Sequence, residues 1–117
     1  MNAKEKLDLV LRAADDKLAN QITALNMDGV SPVADYFVIC HGNSENQVEA
    51  ISREIKTQAL KAGLNVKRLE GLENARWVLI DLEDIVVHIF HKDERTYYQL
   101  EKLWGDASEV NVEEVLQ

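Results

Sequence analysis

The chain holds little of what marks the specialised protein classes: one cysteine, one proline and five glycines in 117 residues. With only Cys40 present, an internal disulfide framework is excluded. The scarcity of proline and glycine excludes collagen-like and low-complexity chains, and no internal repeat or linker breaks the pattern. No stretch approaches the roughly 18 apolar residues of a membrane span, and Met1-Asn2-Ala3-Lys4-Glu5-Lys6 lacks the apolar run of a signal peptide. The expectation is a cytoplasmic protein with no membrane partner. Positive charge is also short, with 13 lysines and arginines against 21 acidic residues and a net charge of −8. Residues 1–69 carry nine acidic and nine basic side chains and residues 70–117 carry twelve and four, so the whole excess lies in the C-terminal part. Such a surface repels phosphates, which leaves little direct nucleic-acid binding to expect and favours a basic protein partner.

What is present reads as one domain, long enough to bury roughly two-thirds of the surface of its unfolded chain. Leu7, Val10, Leu11, Ala14 and Leu18 recur at helical spacing and predict a helix from about Lys4 to Ala19. Ile22 to Met27 reads as a strand closed by Asp28-Gly29 and Pro32. Tyr36 to Cys40 is apolar throughout and predicts a central strand in which Cys40 is a small core residue rather than a reactive thiol. Ser44 and Gln47 form a capping-box pattern before the stripe Val48, Ile51, Ile55, Ala59 and Ala62, with Gly63 placed to end the helix. Val66 to Glu70 is a short polar strand, and Glu70-Gly71 turns the chain.

From Trp77 to Phe90 two β-branched runs meet at an acidic turn near Leu82-Glu83 and predict an antiparallel hairpin. A last helix is expected from Lys92 or Asp93 through Tyr97, Leu100, Leu103 and Trp104 to Gly105, with Trp104 in the core. The order α-β-β-α-β-β-β-α predicts a single α/β domain with a mixed sheet of about five strands and helices packed on it. Right-handed crossover makes the second and third strands parallel neighbours or near neighbours. Residues 1–105 form the domain and residues 106–117 an acidic tail.

Several constellations could carry chemistry. The loop His41-Gly42-Asn43-Ser44 joins a strand to a capped helix, where free backbone N–H groups attract anions, and it is similar to the glycine-serine loop of nucleotidyltransferases. Such an enzyme also needs two carboxylates on one face of a following strand to hold metal. Neither Val66 to Glu70 nor Trp77 to Asp81 supplies them, since Asp81, Glu83 and Asp84 gather at a turn. His41, His88 and His91 with Cys40 lack zinc spacing. Ser44, His88 and Asp84 do not make a nucleophilic triad, because Ser44 is accounted for as a helix cap and Asp84 as a turn residue. The hairpin is different: Arg76, Trp77, Asp81, Asp84 and His88 interrupt apolar strands and suggest a sheet face offered to a partner.

Ala34-Asp35-Tyr36-Phe37-Val38-Ile39, then Gly42, Ser44 and Gln47, then Glu70-Gly71, Trp77 to Asp81, Asp84 to Phe90 and Arg95 to Trp104 together form an ordered set. In that set the chain resembles the ribosomal silencing factor family, also called Iojap-like or RsfS, over about residues 5–105, and the segment after Gly105 carries no family pattern. The resemblance implies a nucleotidyltransferase-like fold without catalytic carboxylates, no cofactor and no metal. It implies a factor that binds the large ribosomal subunit through ribosomal protein fourteen, blocks joining of the subunits, lowers translation when nutrients are scarce, and tends to dimerise. The contact residues it suggests are Glu70, Trp77, Val78, Leu79, Ile80, Asp81, Asp84 and His88. Trp77 is the expected apolar anchor, Val78, Leu79 and Ile80 divide between core and contact face by strand alternation, and the acidic residues meet basic side chains. The competing reading is a nucleotide-binding or nucleotidyltransferase enzyme using the 41–44 loop.

Overall fold

The computed structural model describes residues 1–98 and 107–116. Helix α1 spans Ala3–Asp16, and its apolar stripe Leu7, Val10, Leu11 and Ala14 is fully buried. Asn2 starts it with a complete capping box: Oδ1 accepts from the Glu5 N–H at 2.8 Å, and the Asn2 N–H donates to Glu5 Oε1 at 3.2 Å. It ends short of the predicted Ala19. The Leu18 N–H donates to Asp15 O at 2.9 Å and the Ala19 N–H to Ala14 O at 3.1 Å, the paired bonds of a Schellman turn, with Leu18 at φ 60°. Leu18 therefore leaves the buried stripe the periodicity gives it and stands 76% exposed.

Strand β1 (Asn20–Asn26) and β2 (Tyr36–Gly42) are antiparallel, with a register shift between Asn20 and Thr23 where Gln21 adopts φ 47°. Helix α2 (Glu45–Lys61) buries Val48, Ile51, Ile55 and Ala59, and Gly63 closes it at φ 77° with the same two-bond turn, Leu64 N–H to Ala59 O and Gly63 N–H to Leu60 O. Strands β3 (Arg68–Glu70), β4 (Trp77–Asp81) and β5 (Ile85–His91) follow. The hairpin turn falls at Leu82 to Asp84 as predicted, with Glu83 at φ 75° and its N–H donating to Asp81 Oδ1 at 2.9 Å.

Helix α3 covers Lys92–Tyr98. The predicted continuation through Leu100, Leu103 and Trp104 lies outside the described residues. Strand β6 (Ser108–Val110) and helix α4 (Val112–Leu116) come last.

The sheet has six strands in the order β3-β4-β5-β2-β1-β6, one more than expected. The extra strand comes from the segment read as an acidic tail: Ser108, Glu109 and Val110 pair with Asn26, Leu25 and Ala24 of β1, and Val115 packs into the core beside α1. Only three residues pair there, too few for a period to show in the sequence. The parallel neighbour of β2 is β5, not β3, which lies at the edge beyond β4 and β5. The reason is burial. All seven residues of β5 are buried, so it takes the centre, whereas the polar β3 tolerates the edge.

Alternation sorts the strand residues to two faces. One face, with Ala24, Val38, Cys40, Val78, Ile80, Val87 and Ile89, packs against α1 and α2. The other, with Leu25, Phe37, Ile39, Val86 and Phe90, forms a second cluster edged by Trp77 and Leu79. Cys40 has no exposure, and burial pushes its thiol up to about 12, as a packing residue requires.

Candidate partner-binding face

The second sheet face collects most of the residues singled out in the hairpin. Trp77 lies opposite Phe90, Leu79 opposite both Glu70 and His88, and Asp81 opposite both Arg68 and Val86, so Glu70, Trp77, Leu79, Asp81 and His88 share one side. Trp77 and Leu79 are half-buried and Glu70 is exposed. Val78 and Ile80 point the other way with no exposed surface, so strand alternation assigns them to the core under the helices. Asp84 also leaves the group. It sits at the end of the sheet, where its Oδ2 accepts from Lys6 Nζ of α1 at 2.8 Å and its carbonyl accepts the Asp35 and Tyr36 N–H groups. These bonds tie α1 and the start of β2 to the hairpin turn, and the Asp84 side chain keeps part of its surface exposed.

Within the face, Asp81 is almost buried and its carboxylate caps the hairpin turn, with Arg68 Nε 3.7 Å away. Arg68 also approaches Glu70 at 3.8 Å, and its side chain and that of Glu70 are both more than half exposed. Hence Glu70 is the carboxylate with the freest access to a partner, while Asp81 is chiefly a structural one.

Trp77 is held from below. Its ring stacks on Phe90 with centroids 5.1 Å apart, and its indole N–H donates to His88 Nδ1 at 3.2 Å. His88 is itself buried between strands, 5.4 Å from the Phe37 ring, and desolvation lowers its pKa to about 4. It is thus a neutral acceptor at physiological pH, with its proton on Nε2, as the Trp77 hydrogen bond dictates.

Two arrangements escaped the sequence reading. Arg76, just before β4, bonds Glu94 of α3 through Nη2 at 2.8 Å and Glu45 of α2 through Nη1 at 3.2 Å, so three elements meet beside Trp77. Arg95, nearly buried, donates from Nη1 to the Gln21 carbonyl at 2.7 Å and from Nη2 to Thr23 Oγ1 at 3.3 Å, satisfying the strand where its register shifts. Neither pairing has a sequence signal, because the partners lie 18 to 74 residues apart.

In the competing 41–44 loop, two backbone N–H groups are taken by side chains of the same segment. Ser44 Oγ accepts the Gln47 N–H at 3.1 Å, and Gln47 Oε1 accepts the Asn43 N–H at 2.7 Å, one residue earlier than the capping-box pattern predicts. The Gln47 amide nitrogen then donates to the Leu18 carbonyl at 3.0 Å, tying α2 to the end of α1. A Cβ on Gly42 would come within 2.9 Å of the Val48 nitrogen, so this glycine answers to helix packing. Among the described residues, no three His, Cys, Asp or Glu side chains are grouped to hold a metal, and no helix is long and apolar enough to cross a membrane.

The family model described as "Ribosomal silencing factor during starvation" matches residues 1–117. The chain belongs to the ribosomal silencing factor family. It is 61% identical over 116 residues to Ribosomal silencing factor RsfS of Halalkalibacterium halodurans, covering 99% of each chain. It is 64% identical over 107 residues to that of Bacillus subtilis, covering 92% of this chain and 91% of the relative. A crystal structure of a protein from Bacillus halodurans superposes with a TM-score of 0.84 at 59% identity, over 92% of this chain and 98% of the other. The family match extends through residues 106–117, where the sequence alone gave no family pattern, in keeping with the place of β6 in the sheet.

Proposed function

We propose that the chain is a non-enzymatic translational repressor of the cytoplasm that binds the large ribosomal subunit through ribosomal protein fourteen and thereby keeps the small subunit from joining, lowering translation when nutrients are limiting. Membership of the ribosomal silencing factor family supports a ribosomal partner. The observation that carries the binding mode is the Trp77 face. A half-buried tryptophan stacked on Phe90 stands beside Leu79 and the exposed carboxylate of Glu70, where the acidic C-terminal part of the chain begins. An aromatic anchor with an acidic rim suits a basic protein surface. Steric exclusion needs no catalytic group, only occupation of the joining surface. The enzymatic reading through residues 41–44 has less support, since two of the N–H groups at the loop and helix start, those of Asn43 and Gln47, are already bonded to Gln47 and Ser44.

Order of addition tests the proposal. Added to separated subunits, the protein should reduce formation of complete ribosomes and should act less on preformed ones. Unchanged joining at saturating protein would refute it.

A further inference from the structure

The residue beneath Trp77 carries a role of its own. Trp77 and His88 are diagonal neighbours across the β4–β5 ladder, since Trp77 pairs with Phe90 and His88 with Leu79. Stacking on Phe90 sets the plane of the indole, and stacking of itself does not choose between orientations within that plane. The hydrogen bond from its N–H to His88 Nδ1 selects one of these orientations. His88 cannot touch a partner directly, being only 5% exposed and packed against Phe37 and Phe90. Its place in the middle of the apolar run Ile85 to Phe90 is costly unless the ring is used as an acceptor.

We propose that His88 is the positioning residue of the binding face, its Nδ1 holding the Trp77 indole in the orientation presented to the ribosomal partner. The inference rests on the Trp77 face being the binding face. Burial keeps the ring neutral down to about pH 4, so the acceptor is present wherever the protein works. Loss of the acceptor lowers the fraction of molecules with a competent Trp77, and apparent affinity falls by that fraction.

The test uses the full chain and isolated bacterial large ribosomal subunits. His88→Leu keeps the volume and removes the acceptor. His88→Asn places an amide oxygen near the Nδ1 position. Binding to subunits should weaken about tenfold in His88→Leu and stay within about threefold of the parent in His88→Asn, at a temperature where circular dichroism shows both folded. Trp77→Ala, run beside them, separates the two claims. If it binds as the parent does, the face itself is wrong and the inference falls with it. If it loses binding while His88→Leu does not, only the positioning role is refuted, as it is if His88→Leu and His88→Asn lose binding equally. Should a variant fail to fold, ¹⁵N shifts of the His88 ring in the parent protein decide. An unprotonated Nδ1 with a slowly exchanging Trp77 indole N–H is expected, and a protonated Nδ1 overturns the proposal.

Discussion

Gly71 lies under the carbonyl of Trp77, so close that a Cβ on Gly71 would overlap the carbonyl oxygen. Its φ of 86° adds a second demand that only glycine meets without strain. The turn after β3 and the entry to β4 are therefore one unit, and the position of Trp77 is set partly by a residue that has no side chain.

Gly71→Ala should accordingly be among the most damaging single substitutions at the surface, costing more than about 2 kcal/mol through overlap and backbone strain together. Urea unfolding measures it. A loss below about 0.5 kcal/mol would mean that the turn relaxes freely.

How much of this was legible beforehand depends on the range of the interaction. Elements ruled by local chemistry were readable: the α2 cap and stop at Ser44 and Gly63, and the hairpin turn at Leu82 to Asp84. The alternation that sends Trp77, Leu79 and Asp81 to one face and Val78 and Ile80 to the other follows directly from strand geometry. Strand order and β6 were not readable, because a three-residue edge strand carries too little pattern and its partner β1 lies more than 80 residues earlier. Nor does any local signal announce that Asp84 belongs to Lys6, or that Asp81 is buried in its own turn.

At the proposed contact, Trp77→Ala should weaken binding to large subunits by roughly thirtyfold or more, as truncation of a central aromatic anchor commonly does. Glu70→Lys should act differently, slowing association and flattening its dependence on salt with a smaller effect on dissociation, because an exposed rim charge steers encounter. Stopped-flow association at two ionic strengths distinguishes them. Equal changes in both rates for Glu70→Lys would place Glu70 at the centre of the contact instead.

Ser44→Ala should reduce stability by about 0.5–2 kcal/mol, the usual cost of a lost N-cap, while leaving affinity for large subunits unchanged. Thermal unfolding and subunit binding on the same samples provide the check. A folded variant that no longer binds would revive a functional loop at residues 41–44.

The depressed pKa of His88 has a definite sign. The unfolded chain takes up the proton near 6.5 and the folded one only near 4, so the stability tied to the neutral ring is complete above about pH 6.5 and is lost as pH falls toward 4. The loss should amount to roughly 3 kcal/mol at most. Subtracting the curve of a folded His88→Asn variant removes every contribution common to the two proteins. A difference that stays flat between pH 7 and 4.5 would show that the ring protonates freely in the folded state.

Cys40 gives the molecule a built-in clock. Sealed on β2 between two neighbouring strands and the helical layer, and held as a thiol up to about pH 12, it is closed to thiol-reactive dyes in the native state. Labelling must await separation of the helices from the sheet, so at dye concentrations high enough to outpace reclosing its rate counts whole-molecule openings rather than loop fluctuations. Because no second cysteine competes for the reagent, the same measurement can follow how a bound ribosomal subunit slows that opening.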